Sequence, residues 1–125
     1  MTDTRPALAR HLATLTIATA IAVLLLIPGV DRDLPDWSDH ADKVYHVILF
    51  AALALPTALS APRDLRWVLP SALALGIAME FIQPLVGRTF SVGDMVPDAA
   101  GLALGTALGL LLCRCKRVAN SRQYP

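Results

Sequence analysis

Charge is scarce in this chain: Asp, Glu, Lys and Arg make up 17% of its 125 residues, against roughly 25% in an ordinary soluble domain. The charges that exist are clustered, which leaves four windows of roughly 16 to 20 residues almost bare, close to the ~20 residues that cross a bilayer as a helix. Cysteine is scarcer still. Cys113 and Cys115 stand two apart in an apolar segment, where a helix points them to different sides, so no disulfide between them is expected. No histidine or further cysteine stands near them to complete a metal set. The chain also lacks a nucleotide-binding glycine loop, a His-Glu-x-x-His zinc helix, a Ser-His-Asp order and a Cys-x-x-Cys pair. These absences weaken soluble-enzyme readings and leave no motif that calls for a metal or cofactor. With a net charge of +1 and cations spread over tails and short loops, there is no basic patch for nucleic acid.

What remains is strongly apolar: 55% of residues are hydrophobic and the mean hydropathy is +0.55. The length fits one compact unit. The expected fold is an all-α integral membrane bundle of four transmembrane helices, at about 7–28, 44–61, 67–86 and 96–113. The first carries an apolar run from Leu12 to Ile27, longer than the roughly 7 to 15 residues of a signal-peptide core, and no small-x-small pair follows it. Its Thr14, Thr16 and Thr19 are tolerable because their hydroxyls can bond back to the preceding turn. The loop from Gly29 to Lys43 is acidic, with Asp31, Asp33, Asp36, Asp39 and Asp42 against Arg32 and Lys43. In the second helix Pro56 frees the carbonyl of Ala52, and a kink is expected. Trp67 is an interfacial anchor for the third. Gly101, Gly105 and Gly109 in the fourth recur every four residues, a structural stripe for close helix packing.

Orientation follows from the basic residues, because positively charged loops stay in the cytoplasm. Arg5, Arg10, Arg63, Arg66, Arg114, Lys116, Arg117 and Arg122 fall on one side, eight of the eleven cations; Arg32, Lys43 and Arg88 fall on the other with seven of the ten acids, Asp31, Asp33, Asp36, Asp39, Asp42, Asp94 and Asp98. Both termini are therefore expected in the cytoplasm. The third helix then runs outward and places Glu80, six residues before Val86, roughly 9 Å inside the outer boundary at ~1.5 Å per residue. A carboxylate at such depth costs up to ~2.5 to 3.5 kcal/mol on insertion scales and faces the bundle interior.

Other polar residues gather at the same level. Gln83 shares the face of Glu80, and Pro84 cannot donate to the Glu80 carbonyl. Lys43 and His46 are i, i+3 neighbours at the outer end of the second helix, and His46 can exchange a proton near neutral pH, hydrogen-bond Glu80 or ligate a metal. Arg88 follows a glycine that lets the chain turn, and its planar fork suits a carboxylate or phosphate. Asp94 serves equally as an N-cap of the fourth helix and as a member of the site.

This ordered set, Asp42-Lys43 with His46 and Phe50, Glu80-x-x-Gln83, Gly87-Arg88, Ser91, Asp94 and Gly101-x-x-x-Gly105, resembles the pattern of VanZ-like proteins over about Asp42 to Leu112. The resemblance implies a small polytopic membrane protein of a prokaryotic cytoplasmic (inner) membrane, from a family whose founding member is associated with low-level resistance to the glycopeptide teicoplanin. It implies no established reaction. One position departs from the pattern: where the family has asparagine after the loop aspartate, this chain has Pro97-Asp98, an added carboxylate.

The reading that follows is an outward-facing site in which Arg88, Lys43 and His46 meet the anionic headgroup of a membrane lipid, a polyprenyl carrier or an acylated glycopeptide, with Glu80, Gln83 and Asp94 positioning them. Its rival is a membrane enzyme acting on such a lipid-linked substrate, with His46 or Glu80 as general acid or base. A third is an accessory subunit in which only the glycine stripe matters.

Overall fold

The computed structural model describes residues 5–27, 38–87 and 92–121, and every regular element among them is helical. The acidic connection before Ser38 lies outside the described residues. Four α-helices follow one another: α1 (Arg5–Leu25), α2 (Ser38–Ser60), α3 (Leu65–Ile82) and α4 (Met95–Ser121). Short 3₁₀ turns sit at Pro62–Asp64, Gln83–Val86 and Val92–Asp94. Three helical stretches, His40–Ser60, Pro62–Val86 and Met95–Ser121, are long and apolar enough to cross a membrane by length and composition. The apolar part of α1, Leu12–Leu25, is shorter, roughly 21 Å at ~1.5 Å per residue.

Two boundaries differ from the sequence expectation. Helix α2 begins at Ser38 rather than near Val44, so Asp42 and Lys43 are helical residues and not loop. Helix α4 runs to Ser121, well past Cys113, because Arg114, Lys116 and Arg117 are good helix formers that continue it after the apolar run ends. Proline does not interrupt the helices. Helix α2 continues through Pro56 to Ser60, and the Ser60 hydroxyl donates to the Pro56 carbonyl at 2.7 Å. Helix α3 likewise contains Pro70.

The strongest pairing is between α2 and α4. A Cβ added at Gly101 would meet the main chain of Val47, one at Gly105 that of Ala51, and one at Gly109 the side chain of Ala58 and, behind it, the main chain of Leu55. Both lists advance by four residues in the same direction, so the helices run parallel and touch backbone to backbone. The turn at Pro62–Asp64 returns the chain, as short helix connections do, and α3 packs antiparallel to both. A core of Ile21, Leu25, Phe50, Leu53, Ala54, Ala72, Met79 and Leu102 joins the four helices. Helix α1 meets α2 through a side-chain bond between Thr14 Oγ1 and Thr57 Oγ1 at 3.3 Å. The hydroxyls of Thr16 and Thr19 turn inward on their own helix, donating to the carbonyls of Leu12 and Leu15 at 2.8 and 2.9 Å.

The glycine contacts decide the sign of a substitution there. Alanine gains ~1 kcal/mol of helix propensity over glycine, but a Cβ at Gly105 would lie 2.8 Å from Ala51 Cα, and main chain cannot move aside as a flexible side chain can. Overpacking of this kind costs about 1 to 3 kcal/mol. Gly105→Ala is therefore expected to lower the thermal unfolding midpoint in detergent, followed by circular dichroism; an unchanged or higher midpoint would contradict this packing.

Candidate functional site

Several polar residues of the bundle are inside it. His46 is 1% exposed, Glu80 1%, Gln83 2% and Asp98 2%, while Leu15, Tyr45, Trp67, Phe81, Leu85 and Leu104 are exposed on its surface. These four buried polar groups gather toward one end of the molecule.

Helix α2 contributes Lys43, half-buried, and His46, fully buried one turn before Phe50. The two rings lie parallel, 6.5 Å between centroids with 6° between planes, which is the i, i+4 geometry of one helix face. The Nδ1–H of His46 donates to Asp98 Oδ1 at 2.7 Å, a short, charge-assisted bond across 52 residues of sequence. That bond also fixes the tautomer, with Nδ1 protonated, and leaves Nε2 as the nitrogen on the opposite edge of the ring. It stands 4.0 Å from Asp42 Oδ2, too far for a hydrogen bond, and the two form an ion pair only when the imidazole carries a second proton.

Asp98 fits because α3 has no side chain opposite it. A Cβ at Gly76 would stand 2.5 Å from Asp98 Oδ2 and 3.2 Å from the Phe50 ring. Gly76 is the floor of the carboxylate's socket. Glu80 and Gln83 follow Gly76 at spacing four and three, so all three share the α3 face turned toward α2 and α4, and all three are buried. Glu80 and Gln83 therefore stand about one and two turns further along that face, on the side toward Gly87. There α3 tightens into the 3₁₀ turn Gln83–Val86, with Pro84 in its first turn. Gly87 ends it at φ 82°, the left-handed conformation that glycine adopts without strain, and its N–H reaches the Pro84 carbonyl at 3.3 Å. The amide nitrogen of Gln83 is buried with no hydrogen-bond partner among the described residues.

Of the sequence-expected site residues, the structure brings His46, Glu80 and Gln83 into this interior, with Lys43 at its edge. Arg88 lies outside the described residues, as does the side chain of Asp94, whose backbone closes the turn leading into α4. Among the described residues no group of three or more His, Cys, Asp or Glu is arranged to hold a metal ion. Cys113 and Cys115 are free thiols, Cys113 half-buried and Cys115 exposed.

Sequence reasoning offered Glu80 as a hydrogen-bond partner for His46 and missed Asp98, which the structure sets against Nδ1. It treated Asp98 as an extra charge at a helix start. The signal was present in the spacing: Asp98, Gly101, Gly105 and Gly109 share one face, and the face that packs glycine against α2 must carry Asp98 into the same seam. Gly76 was missed too, having no periodic partner on α3 to mark it.

Comparison with protein-family models, with curated proteins and with solved structures finds no match.

The bond between His46 and Asp98 is testable by a double-mutant cycle. His46→Ala and Asp98→Ala each leave a buried polar group stranded, at about 1 to 3 kcal/mol, and the double variant removes both. The coupling measured by unfolding in detergent is expected at about 1 kcal/mol or more. Additive single effects would mean the contact carries no energy.

Proposed function

We propose that the chain is a multi-pass protein of a prokaryotic cytoplasmic membrane, akin to VanZ-like proteins, whose outward-facing polar site binds the headgroup of an amphiphile: a membrane lipid, a polyprenyl carrier or an acylated glycopeptide such as teicoplanin. Supporting the membrane reading is the inverted distribution of polarity, with His46, Glu80, Gln83 and Asp98 buried and large apolar side chains outside. Contiguous apolar surface of that kind is unfavourable in water and ordinary in lipid. The kinship rests on the ordered residues from Asp42 to Gly105. A link to antibiotic resistance or envelope homeostasis comes with that kinship.

The observation that carries the binding reading is the buried amide of Gln83. A polar nitrogen kept from water costs ~1 to 3 kcal/mol when it lacks an acceptor. A ligand oxygen entering from the Gly87 end removes that cost, with Lys43 at the edge of the site to balance a negative charge. Purified from membranes, the protein is expected to carry an amphiphile visible by native mass spectrometry, and Gln83→Leu to lose it. Protein that is bare in its native form, together with teicoplanin tolerance of the host untouched by Gln83→Leu, would sink the reading.

A second reading, an enzyme acting on a lipid-linked substrate, is favoured by the bond from His46 to Asp98. A carboxylate that holds Nδ1 orients an imidazole so that Nε2 can take or give a proton, the arrangement used in acid–base catalysis. Asp98→Asn separates the two: it keeps the shape of the socket but accepts a hydrogen bond without a full charge. Binding measured by native mass spectrometry should survive it, and turnover of a bound lipid should fall by about 10² to 10⁴ if His46 works as a base.

The orientation, both termini in the cytoplasm, has a native reporter in Cys115, which is exposed. In a Cys113→Ser background it is the sole thiol, since the chain has two cysteines. A membrane-impermeant maleimide should label it in inverted vesicles and not in intact spheroplasts; the opposite pattern reverses the orientation.

A further inference from the structure

The far end of the bundle from His46 carries a second polar feature. The register that sets Val47 beside Gly101 and Ala51 beside Gly105 places Ser60, the last residue of α2, level with Arg114. Helix α4 continues to Ser121 and stands clear of α2 by roughly 10 Å at ~1.5 Å per residue. Its free flank and the turn Pro62–Asp64 form the walls of an open cleft of about 540 Å³. Arg63, Asp64, Arg114 and Arg117 line it, with Leu110 at its apolar inner edge.

Three guanidiniums thus share one cleft with a single carboxylate. Arg114 and Arg117 are i, i+3 neighbours and project from the same flank of α4, and Arg63 faces them from the turn. All three are exposed, and no ion pair engages any of them among the described residues. Arg66, by contrast, has its own neighbour, lying 5.6 Å over the Trp67 ring. Like charges held around a common space repel, and an anion seated between them reverses the sign of that interaction. Planar guanidinium forks match phosphate oxygens in pairs. The apolar edge at Leu110 lies on the membrane side, where a glycerol backbone and acyl chains would continue.

We propose that this cleft binds the phosphate group of an anionic ligand, at the level where phospholipid headgroups lie if the helices cross a bilayer as proposed above. It is separate from the site around His46, and charge steering of the chain's orientation does not require it, since orientation depends on the number of cations and not on their convergence. Basic pockets between helices on the cytoplasmic side are a known means of holding anionic headgroups.

The test uses the full chain in detergent, titrated with phosphatidylglycerol, phosphatidylcholine or inorganic phosphate and read by native mass spectrometry. Phosphatidylglycerol is expected to bind at least tenfold tighter than phosphatidylcholine. The pair Arg63→Gln, Arg114→Gln should erase that preference, and the pair Arg63→Lys, Arg114→Lys should weaken it severalfold, because an ammonium keeps the charge but loses the fork. Displacement of the lipid by inorganic phosphate assigns the cleft to phosphate as a soluble anion; retention against it assigns the cleft to the lipid. Equal binding of the two lipids, or a lysine pair indistinguishable from the parent, overturns the proposal and leaves only diffuse attraction. Failure of the membrane reading shows itself differently, as a chain missing from the membrane fraction.

Discussion

The close parallel contact of α2 and α4 is the constraint on which the rest depends. Backbones meet at Gly101, Gly105 and Gly109, and a seam that tight permits one register. The register sets Asp98 against His46, and the same register leaves Arg114 level with the end of α2. Both polar ends of the molecule are therefore consequences of three missing side chains in the middle. A fourth, at Gly76 on α3, makes room for the carboxylate. The close approach costs little by itself, because an apolar stripe of alanine and glycine buries main chain whose hydrogen bonds are already made within each helix.

Inside this frame the polar residues are arranged by need for partners. A buried carboxylate or imidazole is tolerated where a neighbour compensates it. His46 and Asp98 compensate each other at 2.7 Å. Glu80 and Gln83 lie about one and two turns beyond Gly76 on the third helix, buried on the face that Gly76 turns toward the pair. The gathering of these groups at one end, with the Gln83 amide nitrogen lacking an acceptor among the described residues, is the observation on which the proposed binding site rests.

Much of the helical outline was legible because apolar windows between charge clusters have few other solutions in a chain this short of charge. The interior placement of Glu80 was legible for the same reason: a lone carboxylate within an apolar helix has to face its neighbours. Partners were harder to read. Periodicity tells which face a residue occupies but not which helix that face meets, so His46 could be assigned to the site while its bond to Asp98, 52 residues on, could not. The start of α2 was misjudged because Asp42 and Lys43 look like loop by composition, although a helix N-terminus accepts acids readily. The end of α4 was misjudged because hydropathy stops at Cys113 while helix propensity does not.

The distance in sequence between His46 and Asp98 has a bearing on how the protein is made. At about 5 to 20 residues per second of synthesis, roughly 3 to 10 s separate the appearance of the imidazole from that of the carboxylate that holds it. Until that carboxylate and the glycines of α4 have been made, His46 lacks the partner it holds in the finished bundle, so this part of the polar interior cannot be complete before α4 is in place.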